Sequence, residues 1–262
     1  MSNAYPNGLF VWYDLLTTDP DGAKDFYSKV VGWETEVWEN SDASKPYTMW
    51  KANGKTLGGV MSLPEPAQQM GMPSHWVGYI CVANADETAT QITELGGKVF
   101  HPPMEIPTVG RIVTFADPQG AVVAAFEPAP SDRPRPIEPP KQGEISWNEL
   151  VTTDQVAALS FYSKIAGWEK TQAMDMGPMG TYQMYGTHGV TLGGMFDGCK
   201  FNHHPPVWFY YVNVDSADRA AERVLANGGK VLNGPMDVPD GGRITQCQDP
   251  QGAVFAVHAK QQ

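Results

Sequence analysis

The stretch FYSKVVGW at Phe26–Trp33 returns as FYSKIAGW at Phe161–Trp168, 135 residues further along the chain. The sequence TLGG at Thr56–Gly59 returns at the same offset, at Thr191–Gly194. Matches that recur in the same order at a fixed spacing indicate an internal duplication. The 262 residues are therefore predicted to be one domain written twice.

A second motif extends the duplication to the end of each copy. The sequence DPQGAV at Asp117–Val122 returns at Asp249–Val254, with an offset of 132 residues. The proline-rich stretch 128–143 separates the copies and is predicted to be an extended, rather stiff linker. We therefore predict a first domain over residues 1–127 and a second over 144–262.

Each copy divides again into two units with the same order of elements. An apolar strand comes first, a helix follows, and three short strand-like runs complete the unit. In the first unit Asp19 is the predicted N-cap and Gly32 the helix stop. The chain is therefore predicted to carry four βαβββ units, and its fold class is α+β. The predicted elements of the first two units are the strands Leu9–Leu16, Thr35–Trp38, Tyr47–Ala52, Thr56–Ser62, Trp76–Val82, Lys98–His101, Gly110–Phe115 and Ala121–Phe126, a helix after Asp19 and a helix over Asp86–Leu95.

Charge and composition disfavour several classes of protein. The net charge is −11 and the 18 basic residues do not cluster, so nucleic acid is not an expected partner. No apolar run approaches the roughly 18 residues that a membrane-spanning helix needs, and no signal peptide is visible. The odd set of distant cysteines, Cys81, Cys199 and Cys247, argues for a reducing compartment. We expect a cytoplasmic monomer or homodimer.

Four βαβββ units in this order resemble the vicinal oxygen chelate superfamily, which includes glyoxalase I, bleomycin-resistance proteins and extradiol dioxygenases. The resemblance rests on Asp-x-x-x-Ala-x-x-Phe-Tyr…Gly-Trp in units one and three, and on Gly-Gly-Lys-Val, Gly-Arg-Ile and Asp-Pro-Gln-Gly-Ala in units two and four. It covers nearly the whole chain except the linker and the termini. It implies that units pair into half-open barrels, with one cavity in each half of the chain.

The resemblance also implies where a divalent metal would bind. Counted onto this chain, the family's ligand positions fall on Trp12 and Trp147 in first strands and on Ala124 and Ala256 in last strands. Neither an indole nor a methyl group can ligate a metal. We therefore expect no metal site of the family type and no other cofactor.

The histidines are not expected to rebuild that site. His203 and His204 lie next to Cys199, where a surface metal clip is conceivable, but adjacent loop histidines are more typically solvated. His258 is the only histidine expected on an inner strand face.

Alternation along the first strands gives the best candidates for function. It places Trp12 with Asp14, and Trp147 with Glu149, on one face of each strand. Burying a carboxylate is costly unless it is paired or hydrogen-bonded. Each half therefore carries one carboxylate, two residues after a tryptophan, that needs a partner if it is buried.

Arg111 and Arg243 occupy matching places and are the expected partners of these carboxylates. Either the pairs are structural and fix how the units meet, or carboxylate, arginine and aromatic groups line a ligand pocket. A general-base role for Asp14 or Glu149 is a further alternative. The candidate ligand-binding residues are Trp12, Asp14, Tyr79, Arg111, Trp147, Glu149, Tyr211, Arg243 and His258.

Two functions remain open at this point. The first is a protein that binds a small aromatic or carbonyl ligand in each domain without a metal. The second is an enzyme, a glyoxalase-like lyase, hydroxylase or dioxygenase-type protein, acting on a small carbonyl or phenolic substrate with Asp14 and Glu149 as candidate catalytic residues.

Overall fold

The computed structural model describes residues 5–39, 41, 47–130, 136–202, 204–239 and 241–260. Within them the chain repeats one order of elements, strand, helix and then further strands, four times. We call each repeat a module. The mixed α+β fold predicted from the sequence is confirmed.

Modules one and two occupy the first half of the chain. Module one consists of β1 (Phe10–Thr17), α1 (Pro20–Val31), β2 (Glu34–Val37), β3 (Thr48–Ala52) and β4 (Lys55–Ser62), followed by a short helix α2 (Glu65–Gln69). Module two consists of β5 (His75–Cys81), α3 (Ala85–Glu94), β6 (Lys98–Val99), β7 (Met104–Ile106), β8 (Gly110–Ala116) and β9 (Val122–Pro128).

Modules three and four repeat this order in the second half. Module three consists of β10 (Ile145–Val151), α4 (Gln155–Ala166), β11 (Glu169–Asp175), β12 (Thr181–Thr187) and β13 (Val190–Phe196), followed by a short helix α5 (Cys199–Asn202). Module four consists of β14 (Val207–Asn213), α6 (Ala217–Ala226), β15 (Lys230–Asp237), β16 (Gly242–Gln248) and β17 (Val254–Lys260).

The helices α1 and α4 begin and end in the same way because the duplicated motif supplies both caps. Asp19 accepts a hydrogen bond from the amide of Gly22, and Asp154 caps α4 from the matching position. Gly32 and Gly167 close the helices in the left-handed conformation, with φ of 77° and 68°, which favours glycine. The predicted N-cap and stop of the first helix are therefore confirmed.

The chain packs as two lobes that do not follow the sequence halves. The first lobe takes the residues up to Val11 with Gly78–Glu138 and Trp147–Trp208, and the second takes Trp12–Val77, Pro139–Ser146 and the chain from Phe209 onward. The predicted linker at 128–143 separates the two copies of the sequence repeat. Packing instead groups modules two and three in the first lobe and modules one and four in the second.

Strand pairing is alike in the two lobes. In the first lobe β5 runs parallel to β9, which continues antiparallel to β8, and β10 runs parallel to β13, which continues antiparallel to β12 and β11. In the second lobe β1 pairs in parallel with β4, and β14 with β17. Helices join the modules, because α3 packs on α4 in the first lobe and α1 packs on α6 in the second.

A buried tyrosine links two modules within each lobe. The Tyr27 hydroxyl donates to Asp249 Oδ2 at 3.1 Å in the second lobe, and the Tyr162 hydroxyl donates to Asp117 Oδ2 at 3.1 Å in the first. The other oxygen of each aspartate accepts two backbone amides of its own DPQG turn. The two duplicated motifs therefore bind each other, and each bond joins a motif of one copy to a motif of the other.

The tryptophan at the end of each FYSK motif forms a second hydrogen bond between segments that are far apart in the chain. Trp33 Nε1 donates to the carbonyl of Gly143 at 2.6 Å, and Trp168 Nε1 donates to the carbonyl of Gly8 at 2.7 Å. Both glycines have positive φ, 82° and 84°. A Cβ on Gly8 would lie 2.2 Å from the carbonyl oxygen of Ala166, so only glycine fits that approach.

No helix within these described ranges is long and apolar enough to cross a membrane. All three cysteines are buried and free.

We predict that Tyr27→Phe and Tyr162→Phe each lower the free energy of unfolding by about 1–3 kcal/mol, because each leaves a buried aspartate oxygen without its donor. Urea denaturation followed by circular dichroism measures the change. Met70→Ala is the control, because Met70 is 75% exposed and its truncation should change little. Equal midpoints for the tyrosine variants and the control would contradict the prediction.

A pH dependence follows from the same aspartates. Burial raises the pKa of Asp117 and of Asp249. The folded state then holds these protons more tightly than the unfolded state, so their contribution to stability falls as the pH rises from about 3.9 through the raised pKa. Asp117→Asn and Asp249→Asn should each remove part of this fall, so between pH 3 and pH 7 the urea midpoints of the variants should fall less, or rise more, with pH than those of the wild type. Superimposable profiles would contradict this.

Candidate functional site

The first candidate site is a triad in module one, formed by Trp12 and Asp14 of β1 and by Tyr47, which directly precedes β3. Trp12 Nε1 donates to Asp14 Oδ1 at 2.8 Å and to the Tyr47 hydroxyl at 2.7 Å. The Tyr47 hydroxyl donates to the same Asp14 oxygen at 2.6 Å. Asp14 is only 4% exposed, whereas the aromatic side chains are half-buried. The buried carboxylate is therefore held by neutral donors that are themselves accessible.

The second candidate site has the same chemistry at the matching positions of module three. Trp147 Nε1 donates to the Tyr182 hydroxyl at 2.8 Å, and that hydroxyl donates to Glu149 Oε2 at 2.9 Å. Glu149 is 7% exposed and Trp147 is half-buried. Each member of the second triad lies 135 residues after its counterpart in the first. The face-sharing predicted for Trp12 with Asp14 is confirmed by the bond between them.

The TLGG repeat explains how the tyrosines reach their positions. A Cβ on Gly59 would lie 2.2 Å from the Tyr47 ring, and a Cβ on Gly194 would lie 2.0 Å from the Tyr182 ring. Neither glycine has positive φ, so the glycines are needed for space. The bare backbone at these points of β4 and β13 lets each ring pack closely against the strand.

The preceding glycine of each TLGG repeat sets the strand spacing. A Cβ on Gly58 would lie 1.7 Å from the carbonyl oxygen of Tyr13, and one on Gly193 would lie 1.8 Å from that of Asn148. Because Tyr13 and Asn148 precede the two carboxylates, this close approach brings β1 and β10 against the strands that seat the tyrosines.

The expected ion pairs of Asp14 with Arg111 and of Glu149 with Arg243 are wrong. Arg111 forms a bidentate pair with Asp86, in which its second amino group lies 3.0 Å from Asp86 Oδ1. This pair lowers the pKa of Asp86. Arg111 is thereby drawn to the first turn of α3.

Arg243 is held in the same way in module four. Its guanidinium binds Asp218, in the first turn of α6, at 2.7 and 3.1 Å, and it binds Asp237 at 2.7 Å. These two carboxylates raise the pKa of Arg243. Each arginine therefore binds an exposed aspartate in the first turn of the helix of its own module. Ligand contact through the arginines stays a prediction.

The remaining predicted residues lie elsewhere in the modules. Tyr79 is nearly buried opposite Ala124, and Tyr211 is buried opposite Ala256, with its hydroxyl accepting from Gln246 Nε2 at 3.0 Å. His258 Nδ1 lies 3.2 Å from Asn213 Oδ1. Their roles in ligand binding stay predictions.

The positions at which the family holds its metal do not fit a metal in this chain. Trp12 and Trp147 use their only polar atom, an indole N–H, as a donor within the triads. Ala124 and Ala256 present methyl groups. We therefore derive no chemical step through a metal at these positions.

Among the described residues, no three His, Cys, Asp or Glu side chains are grouped so that they could hold a metal ion. Of the residues named above for a surface metal clip, Cys199 and His204 lie close together, with 4.0 Å between Sγ and Nδ1. The third, His203, lies outside the described residues.

The sequence reasoning missed Tyr47 and Tyr182, the residues on which both triads depend. The offset of 135 pairs these tyrosines, so the duplication could have revealed them. The offset of 132 likewise pairs Asp86 with Asp218, and it could have indicated the true partners of the arginines.

The chain belongs to the superfamily described as Glyoxalase/Bleomycin resistance protein/Dioxygenase, whose model matches residues 9–125 and 144–257. The predicted family is thus confirmed. The two matched segments correspond to the two copies of the sequence repeat.

Two relatives are similar to this chain in sequence over most of their length. One is "Putative glyoxylase CFP32" of Mycobacterium tuberculosis, 31% identical over 97% of this chain and 95% of the relative. Another is "Anthracycline biosynthesis protein DauV" of Streptomyces sp. strain C5, 30% identical over 95% of this chain and 92% of the relative.

Solved structures share the fold at low identity. The Mn(II)-bound glyoxalase from Novosphingobium aromaticivorans has a TM-score of 0.66 and 17% identity, covering 98% of this chain and 83% of that one. The 2,3-dioxygenase LapB from Pseudomonas sp. KL28 has a TM-score of 0.64 and 12% identity, covering 99% and 94%.

We predict that Gly59→Ala displaces the Tyr47 ring and destabilises the fold by about 1–3 kcal/mol, because the added methyl overlaps the ring. Gly194→Ala should do the same to Tyr182. Near-ultraviolet circular dichroism and urea denaturation measure the two effects. In the Gly59→Ala/Tyr47→Ala double variant the overlap is gone. If Gly59→Ala lowers the free energy of unfolding as much in the Tyr47→Ala background as in the wild type, the proposed packing of the Tyr47 ring on Gly59 is wrong.

Proposed function

We propose that this protein binds a small, flat organic ligand, aromatic or carbonyl-bearing, at the two Trp–carboxylate–Tyr triads. The proposal rests chiefly on one observation. The same buried carboxylate, hydrogen-bonded to a tyrosine and flanked by an accessible tryptophan, occurs at matching positions of modules one and three. A structural carboxylate needs only a partner, whereas a repeated accessible indole also provides a surface for ring stacking.

The names of the relatives support a ligand of this kind. A relative named for anthracycline biosynthesis covers almost the whole chain at 30% identity. Anthracyclines are fused aromatic ring systems that bear hydroxyl and carbonyl groups, and such rings match the flat faces of Trp12 and Trp147. We propose that the ligand of this chain belongs to the same broad chemical class.

We propose that binding uses no divalent metal at the family positions. The support is the chemistry of the residues, since indoles and methyl groups stand at Trp12, Ala124, Trp147 and Ala256. The ligand would then be held by hydrogen bonds and aromatic stacking alone. The three buried, free cysteines support a place in the cytoplasm.

An enzyme acting on a small carbonyl or phenolic compound is the second candidate. The name of the mycobacterial relative, a glyoxylase, favours it. In that case Asp14 or Glu149 would accept a proton from a bound substrate, as a general base does. Mass spectrometry of a ligand after prolonged incubation separates the two candidates, because a binding protein returns the compound unchanged.

We predict that a neutral naphthalenediol binds with a stoichiometry of two per chain in isothermal titration calorimetry. Trp12→Ala should weaken one site and Trp147→Ala the other by at least about tenfold, because aromatic stacking area is lost. Each single variant should then titrate with one molecule per chain.

The matched control is the double variant Arg111→Gln/Arg243→Gln. In the wild type both arginines pair with aspartates of their own modules, so if the ligand binds at the triads alone the stoichiometry and affinity of this variant should equal those of the wild type. Tight binding that both tryptophan variants retain would refute the proposed location. Binding that the arginine variant loses would instead favour a pocket around the arginines.

A further inference from the structure

The second lobe contains an open cleft of about 270 Å³ at the C-terminal end of α1. One wall is the last turn of α1, and another is Gln142, in the segment before β10. The rest comes from Val214 and Asp215, which follow β14, and from Arg223 of α6. The cleft therefore lies where α1 of module one meets α6 of module four, and its residues are different from those of the triads.

Arg223 is the chemical centre of this cleft, and two hydrogen bonds fix its position. Its Nε donates to the carbonyl of Val30 at 2.9 Å, and its Nη2 donates to Asp215 Oδ1 at 2.9 Å. The side chain of Arg223 is only 32% exposed. A ligand that binds an arginine already held in this way has little side-chain entropy left to remove.

The protein leaves most of the donors of Arg223 unused. A guanidinium has five N–H groups in a planar fork, and the bonds to Val30 and Asp215 take one from Nε and one from Nη2. Within the described part of the chain Arg223 has no other hydrogen-bond partner. Both N–H groups of Nη1 and one of Nη2 are left, and this pair of amino groups matches the two oxygens of a carboxylate.

The charges at the cleft favour an anion with a single charge. Asp215 Oδ2 lies 3.1 Å from Arg219 Nη2, and Asp215 Oδ1 lies 2.9 Å from Arg223 Nη2. Two arginines therefore surround one aspartate and leave positive charge in excess. Lys29, which also lines the cleft, pairs with Asp25, with 2.6 Å between Nζ and Oδ2. One carboxylate balances the excess, whereas Asp215 would repel the second charge of a dianion.

We propose that this cleft binds a small monocarboxylate with a short aliphatic chain. The carboxylate accepts hydrogen bonds from the unused amino groups of Arg223, and the chain contacts Val31 and Val214, which supply apolar lining. Such a ligand links α1 to α6 and so stabilises the pairing of modules one and four. The site is separate from the triads, so it does not depend on the function proposed above.

The sequence repeat provides an internal comparison. With the offset of 132 residues, Arg223 corresponds to Gln91 and Asp215 corresponds to Ala83. The side-chain amide of Gln91 is neutral, so it cannot form the charged fork on which the proposed site depends. We therefore expect one carboxylate per chain, bound in the second lobe.

The test titrates the protein with butyrate at pH 7 and follows backbone amide and arginine side-chain N–H signals by NMR. One butyrate should bind per chain, and the shifts should centre on the Arg223 side chain and on the amide of Val214. Butyramide, which has nearly the same shape without the charge, should bind at least about tenfold more weakly, and equal affinity would overturn the proposal. Succinate, which carries two charges, should also bind more weakly than butyrate, and tighter binding would overturn the choice of a monoanion.

Arg223→Gln gives the second lobe the residue that the first lobe has at this position. Butyrate affinity should fall at least about tenfold, because the charged fork is lost. Arg219→Gln is the matched control, since it removes the same charge beside Asp215 from a side chain that is 64% exposed and does not line the cleft. Its affinity should stay within about threefold of the wild type. Equal losses in the two variants would mean that only overall charge matters, and would overturn the site.

A second variant leaves Arg223 and its two bonds unchanged. Val31→Phe fills the cleft, so butyrate affinity should fall at least about tenfold through steric exclusion. Circular dichroism and the urea midpoint should stay close to those of the wild type, because Val31 is only half-buried. Butyrate binding that Val31→Phe retains would overturn the proposed location, even if Arg223→Gln fails to fold.

Discussion

The hydrogen bond between a buried tyrosine and a buried aspartate is the interaction on which each lobe depends. Tyr27 with Asp249, and Tyr162 with Asp117, join the two longest duplicated motifs of the sequence. Each aspartate has its remaining acceptor capacity filled by amides of its own turn, so the tyrosine completes a carboxylate that would be costly to bury alone. Because each bond links a module of one copy to a module of the other, neither copy satisfies its own motif.

Much of the fold could be predicted from the sequence, because duplication and periodicity are local signals. The strand predicted at Trp76–Val82 is observed at His75–Cys81, and the helix predicted at Asp86–Leu95 is observed at Ala85–Glu94. The grouping of modules into lobes could not be predicted in this way. A repeat shows which segments are equivalent, but the choice of packing partner depends on helix faces and buried hydrogen bonds that no spacing records.

The candidate site shows where reasoning from charge goes wrong. The position of Asp14 in an apolar strand correctly indicated a carboxylate that needs a partner, and arginine was assumed because it has the opposite charge. The structure satisfies it with the neutral donors Trp12 and Tyr47, while Arg111 binds Asp86 at the start of a helix in its own module. Complementary charge is thus a weak guide to pairing, whereas the equivalence of positions across the repeat would have identified the tyrosines.

The crossed anchoring of Trp33 to Gly143 and of Trp168 to Gly8 has a consequence for the history of the chain. A half-length ancestor would have had to obtain each of these contacts from a second, identical polypeptide, and so it would have been an obligate dimer with two equal sites. Fusion supplies the partner at a high effective concentration within one molecule. It also lets the two sites differ, and Asp14 and Glu149 are one such difference between matching positions.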